Sequence, residues 1–214
     1  MPDRGSEPAS AYAAQLIDTV FIVDDDPLVR SALEITLTLA GLKAVKFASA
    51  QQFLAHVTAE HSGCVLTDIR MPGMDGLELQ EELARRNTCM SVLVMTGHAD
   101  VPLAVRAMKA GALDILEKPF KNELMVEKVV AALALARRKS EQASQRDVVA
   151  ARYDSLSERE RDVLKLVVGG KSSKEIGRDL DISPRTVDIH RSNLMEKMQA
   201  ENLAALVRMA GMIL

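Results

Sequence analysis

Residues 19–27 read TVFIVDDDP, five β-branched or apolar residues running straight into three aspartates and a proline. An apolar run this short, with no alternation, fits a strand covered on both faces, because a face open to water would place a polar residue at every second position. Working outward, comparable runs recur at Lys43–Phe47, Cys64–Thr67, Ser91–Met95 and Leu113–Leu116, each followed by a helical pattern. One strand and one helix per unit of about 22 to 27 residues predicts an α/β, doubly wound, mostly parallel five-stranded sheet. In such sheets ligands bind beyond the carboxyl ends of the strands, so the residues just after each strand carry the most information.

The pattern changes further along. From Lys121 to Val168 there is neither Gly nor Pro, and Val126, Val129, Val130 and Leu133 keep helical spacing. Between Arg137 and Asp147 the only apolar residue is Ala143, so that stretch has no stripe to bury and reads as a solvated helical extension or linker. Beyond it everything is helical. Ser157 with Glu160 and Ser172 with Glu175 fit the capping box, Ser183-Pro184 marks another start, Gly169-Gly170 a stop, and a last helix covers about Asn202 to Met209. Four short helices with a tight turn between the second and third predict a helix-turn-helix module. The expected organisation is a flexible tail over 1–15, a first domain over 16–138, a helical linker over 139–152 and a second domain over 153–214.

Composition limits the function. Hydrophobic residues make up 48% and charged residues 27% of 214, which supports a packed core. Six aromatics and no Trp leave few rings for stacking on bases or sugars. Cys64 and Cys89 make no disulfide framework, and no Cys/His cluster has zinc spacing. The longest apolar run, Val129–Ala136, is far short of a bilayer span, and residues 1–15 lack the apolar segment of a signal peptide, so a cytoplasmic protein is expected.

The ends of the predicted strands bring together Asp24, Asp25, Asp26, Asp68, Thr96 and Lys118. Crowded carboxylates repel unless some are protonated or a hard cation neutralises them, and Mg²⁺ is the natural choice because it takes one or two carboxylates and leaves other positions for phosphoryl oxygens. One carboxylate can then act as nucleophile toward a phosphoryl donor while Lys and a hydroxyl hold the remaining oxygens. Taken singly each residue has a plainer use, as a helix-dipole partner, a loop acid, a turn residue or a surface charge. Their joint occurrence at the ends of four strands of one sheet is what those uses do not produce.

The segments IVDDDP (22–27), TDIRMPGMDG (67–76), VMTGH (94–98) and EKPF (117–120) resemble a bacterial response-regulator receiver domain over about Thr19 to Arg138, closest to FixJ-like regulators from Thr96 to Phe120. The resemblance implies a flavodoxin-like receiver in which Asp68 accepts phosphate from a sensor histidine kinase. It also implies that Asp24, Asp25, Asp68 and the backbone carbonyl of Arg70 hold Mg²⁺, and that Thr96 and Lys118 bind the phosphoryl group. A cis peptide between Lys118 and Pro119 follows from the same resemblance. One position departs from it: the family often has an aromatic residue three before the lysine, and here that residue is Ile115. The switch is therefore expected to act through the surface from Val101 to Leu116, including Val101 and Ile115.

The second half, with LSERE (156–160), KEI (174–176), ISPRTV (182–187), His190 and Lys197, resembles the LuxR-type helix-turn-helix. Together the two resemblances imply a phosphorylation-dependent transcriptional regulator of the FixJ/NarL family. Charge alone does not show this, since residues 152–214 carry a net charge of only +1 against -4 for the rest. Lys174, Arg185, Thr186 and Arg191 are candidates for phosphate contacts, and Asp188, Ile189 and Ser192 for base edges. Asp188 is as readily a solvated helix charge, and His190 a packed or phosphate-adjacent residue. A single helix reads too few base pairs, so a homodimer on a pseudo-palindromic promoter site is expected when the receiver is phosphorylated, with RNA polymerase a further candidate partner. Leu203, Leu206 and Val207 are expected mostly in the core, with a dimer contact as their other use. Two rival readings remain at this stage: a haloacid-dehalogenase-type phosphatase, whose D-x-D fits Asp24–Asp26 but whose later acidic pair is missing, and a regulator acting through protein contact alone.

Overall fold

A computed structural model describes residues 19–58 and 61–214. The tail expected over 1–15 lies outside the described residues. The chain forms two compact units, divided between Glu141 and Gln142. The first contains strands β1 (Thr19–Val23), β2 (Lys43–Phe47), β3 (Ser62–Asp68), β4 (Cys89–Thr96) and β5 (Asp114–Glu117). Helices α1 (Pro27–Leu39), α2 (Ala50–His56), α3 (Gly76–Arg85) and α4 (Val101–Lys109) alternate with them, and the 33-residue α5 (Asn122–Asp154) follows.

The sheet order is β2-β1-β3-β4-β5 and every neighbouring pair is parallel, the doubly wound arrangement expected from the apolar runs. Successive residues of β1 point to opposite faces. Phe21 and Val23 join one core with Phe53 of α2, Leu79 of α3 and Ala107 of α4, while Val20 and Ile22 join the other with Leu37 of α1 and Val129 of α5. Helices on both faces are why this strand shows no polar alternation. The chain reverses direction across the sheet between β1 and β3, and the crevice at that point is where the strand-end carboxylates emerge.

Strand limits differ from the sequence reading where pairing does not need an apolar side chain. β3 begins at Ser62 and Gly63, whose backbones pair with Cys89 and Met90, so β4 starts earlier too. β3 also extends to Asp68, β4 to Thr96 and β5 to Glu117, so the strand ladder itself carries the polar end residues.

The second unit contains the end of α5 with α6 (Glu158–Val168), α7 (Ser173–Leu180), α8 (Pro184–Met198) and α9 (Leu203–Ala210). Both capping boxes form, with Ser157 and Ser172 accepting from the N3 amides and Glu160 and Glu175 reaching back. Ser183 caps α8 with Pro184 in its first turn, and α6 stops at Gly169. Asn202 is the cap of α9 rather than its first residue. The core gathers Val149, Leu164, Ile176, Val187, Leu194 and Leu206. Of the three apolar residues on α9 expected mostly inside, only Leu206 is buried; Leu203 and Val207 are 47% and 39% exposed, because this short helix presents a single face to the core. Among the described residues no helix is long and apolar enough to cross a membrane.

Candidate functional site

The crevice beyond the sheet is built by four strand ends. Asp24 follows β1 and is almost fully buried, Asp68 ends β3, Thr96 ends β4, and Lys118 follows β5 just before a cis peptide to Pro119. Lys118 joins the carboxylates: its Nζ donates to Asp24 Oδ2 at 2.9 Å and to Asp68 Oδ1 at 2.6 Å. The other oxygens are also engaged, Asp24 Oδ1 by the Asp26 amide at 2.9 Å and Asp68 Oδ2 by the Arg70 amide at 2.7 Å. Burial works against the Lys118 ammonium, but the hydrogen bonds from it to Asp68 and Asp24 outweigh that cost and its pKa lies above that of an ordinary lysine.

The carboxylates are not all gathered as the sequence suggested. Asp25 is exposed, Asp26 caps α1 through the Leu28 amide at 2.8 Å, and among the described residues no three His, Cys, Asp or Glu side chains are grouped closely enough to hold a metal ion. Asp24 and Asp68 are left as a pair, neutralised by Lys118. The pair still offers the donor set a hard cation takes, two carboxylates beside the Arg70 backbone, and Mg²⁺ needs only one or two carboxylates because it retains waters. Thr96 reaches the site through its backbone, its carbonyl accepting from the Lys118 amide at 2.7 Å. Its hydroxyl turns to the next loop, donating to His98 O at 3.0 Å and accepting from His98 N at 3.2 Å.

Three supporting residues have no role assigned from the sequence, although Gly76 and Glu117 belong to the segments that carry the receiver resemblance. Arg30 of α1 donates from Nη1 to the Asp24 carbonyl at 2.6 Å and fixes the acidic loop. Gly76, first residue of α3, leaves no room for a side chain, since a Cβ there would lie 2.2 Å from the Asp68 carbonyl oxygen. Glu117 accepts from the Ala99 amide at 3.1 Å. Arg30 has no local signature, and the segments holding Gly76 and Glu117 mark the family without saying what either residue touches until α3 is seen passing behind Asp68 and the Ala99 amide reaching Glu117.

The second unit presents α8 after the turn from α7. A Cβ at Gly177 would lie 2.7 Å from Ile182 O, so glycine is what lets the two helices meet so closely. Lys174, Arg185, Asp188, Ile189 and Ser192 are exposed, and Thr186, His190 and Arg191 are half-buried. Asp188 is held within the unit, accepting from Ser173 Oγ at 2.7 Å, and Arg191 Nη1 approaches the same hydroxyl at 3.4 Å. Thr186 donates its amide to Ser183 Oγ at 3.0 Å. Behind this face Glu160, buried, accepts from Lys197 Nζ at 2.7 Å; burial pushes its pKa up, but Lys197 and the Ser157 cap bring it below the ordinary glutamate value.

Residues 20–130 match the model of the response regulator receiver domain family, and residues 154–210 that of the bacterial regulatory proteins of the luxR family. This chain is a response regulator. It is 48% identical over 191 residues to the transcriptional regulatory protein FixJ of Azorhizobium caulinodans, covering 89% of this chain and 90% of that one. It is 45% identical over 192 residues to FixJ of Rhizobium meliloti, covering 90% and 94%. Among solved structures it is similar to the response regulator StyR, with 39% identity, a TM-score of 0.78 and coverage of 90% of this chain and 98% of that one. Full-length FixJ from B. japonicum aligns at 42% identity and a TM-score of 0.56, covering 91% and 96%. The chain is thus a FixJ-like regulator with a receiver domain and a LuxR-type DNA-binding domain.

Proposed function

We propose that Asp68 is the phosphoacceptor of this regulator. A carboxylate oxygen of Asp68 attacks the phosphorus of a phosphohistidine on a sensor histidine kinase; a P–O bond forms, the P–N bond breaks, and the released imidazole takes up a proton. Lys118 is the resident cation beside the developing charge, and Thr96 supplies a hydroxyl to a phosphoryl oxygen. Asp24, Asp25, Asp68 and the Arg70 carbonyl would hold Mg²⁺, which when bound neutralises charge on the phosphoryl oxygens. The observation that supports this best is the single Lys118 ammonium shared by Asp24 and Asp68 at the sheet's reversal point.

On this reading residues 16–138 are the receiver, 139–152 the linker and 153–214 the DNA-binding domain of a cytoplasmic transcription regulator rather than an enzyme. Phosphorylation favours a homodimer through the surface that includes Val101 and Ile115, and the dimer binds promoter DNA, with RNA polymerase as a further partner. Lys174, Arg185, Thr186, His190 and Arg191 are assigned to phosphates, and Ile189 and Ser192 to base edges, which the exposure of Lys174, Arg185, Ile189 and Ser192 supports; Asp188 reads a base only by exchanging its bond to Ser173.

Incubating the protein with radiolabelled acetyl phosphate and Mg²⁺ tests the acceptor. A base-labile label that is lost in Asp68→Asn is expected, together with tighter binding of the labelled protein to an inverted-repeat duplex. Label retained in Asp68→Asn overturns the assignment. In the same assay Arg185→Ala should weaken binding uniformly across sequences and reduce the salt slope by about 1.

A further inference from the structure

The Thr96 hydroxyl has one proton, and in this structure that proton is directed at His98 O. To donate to a phosphoryl oxygen on Asp68 the hydroxyl must leave His98, which frees one of the bonds that shape the loop from Gly97 to Asp100. A second bond holds the same loop: the Ala99 amide donates to Glu117 Oε1 at 3.1 Å. Glu117 is anchored independently, since it is the last residue of β5 and pairs in register with Thr96. The loop leads directly into α4, whose cap is Asp100, accepting from the Leu103 amide at 2.8 Å. From that helix Val101, Val105 and Met108 present exposed apolar groups, at 76%, 46% and 52%. The ring that often links such a threonine to this surface is replaced by Ile115, which packs into the core beneath.

We propose that Glu117 is a positioning residue acting through Thr96: its carboxylate holds the His98–Ala99 backbone where the Thr96 hydroxyl is committed to His98, and release of that contact lets Thr96 turn to the phosphoryl group and α4 shift. The inference rests on the roles given above to Asp68 and Thr96. It assigns the coupling between pocket and α4 surface to a backbone–carboxylate contact rather than to a side-chain ring. A carboxylate suits the task because it is a strong acceptor fixed on a strand, while the amide it holds belongs to the segment that moves.

Hydrogen exchange of the full chain, resolved at residues 97–101, tests it in three proteins. In the unphosphorylated wild type the Ala99 amide should be protected, and in Glu117→Ala it should exchange about tenfold faster, the loss of one bond to a charged acceptor. Glu117→Gln keeps an acceptor oxygen and should stay near wild type. With Mg²⁺ and beryllofluoride, a phosphoryl mimic, the wild-type amide should lose its protection, and Glu117→Ala should bind the mimic several-fold more tightly. Unchanged Ala99 exchange in Glu117→Ala overturns the proposal, and so does a Glu117→Gln protein that behaves like Glu117→Ala, which would assign the effect to charge beside Lys118. The first comparison uses no phosphoryl donor, so it fails or succeeds independently of whether Asp68 accepts phosphate.

Discussion

The receiver crevice and the exposed face of α8 both concentrate polar residues, but in opposite ways. In the crevice the charges are drawn from strand ends far apart in sequence, are largely withdrawn from water and satisfy one another, as Lys118 does for Asp24 and Asp68. Along α8 the polar residues are close neighbours in sequence and face solvent, resting on a buried row of Val187, Leu194 and Met198. A buried charge set needs a rigid frame, because each unpaired group inside costs several kcal/mol. An exposed set needs only a helix held at the right angle, and its affinity for a polyanion comes from outside the fold. The first region stores its partner's counter-charges internally; the second leaves them for the partner to supply.

The contrast between buried and exposed positions is steepest within α8 itself. Leu194→Ala, which empties a fully buried position, should cost about 2–5 kcal/mol. Ile189→Ala, on a residue 55% exposed, should fall within about 0.5 kcal/mol. Urea unfolding of the two variants checks this, and a large loss in Ile189→Ala would mean that the exposed face carries part of the fold.

A smaller effect distinguishes the frames. Gly76→Ala and Gly177→Ala each drive a Cβ into a carbonyl oxygen, of Asp68 and Ile182 respectively, and each should cost about 1–3 kcal/mol. Hydrogen exchange should place the loss in the receiver unit for the first variant and in the helical unit for the second. Receiver destabilisation without displacement of the Asp68 backbone would show that the crevice tolerates a looser frame than its paired charges suggest.

The smallest effects are in pH. Lys118 titrates higher folded than unfolded, so its contribution is complete below the unfolded lysine value of about 10.4 and fades as pH rises through the folded value. Glu160 titrates lower folded than unfolded, so its contribution is present above about 4.3 and is lost as pH falls through the folded value. Lys118 should therefore soften the receiver at the alkaline edge and Glu160 the helical unit at the acid edge, where Asp114 of the receiver, paired with Lys128 and also held below its ordinary value, adds a loss in the receiver too; exchange or denaturant midpoints follow each. Glu160→Gln should shrink the acid limb of the helical unit to the part that Glu175, held down by its Ser172 cap, still supplies, and leave the receiver unchanged.

Much of this was readable along the chain. The uninterrupted run before Asp24 implied two covered faces, and the capping boxes at Ser157 and Ser172 located two helix starts to the residue. Both are local signals: a strand's burial shows in every side chain it carries, and a cap is completed within four residues. The polar residues that close the ladders at Asp68, Thr96 and Glu117 were harder to assign to strands, because pairing uses backbone groups that are the same in every residue.

The order of residues specifies which chemistry is present: carboxylates, a lysine and a hydroxyl at strand ends, and a capped helix bearing cations in the second unit. How those groups are used follows from the folded arrangement. It places Lys118 between Asp24 and Asp68 while leaving Asp25 exposed, turns the Thr96 hydroxyl to His98, brings Arg30 to the Asp24 carbonyl and Glu117 to the Ala99 amide, and gives Asp188 to Ser173. Hydrogen-bond partners are chosen by distance in space: the spacing of strand-helix units shows that these strand ends meet, but which group there bonds to which depends on ångström-scale placement that no spacing encodes.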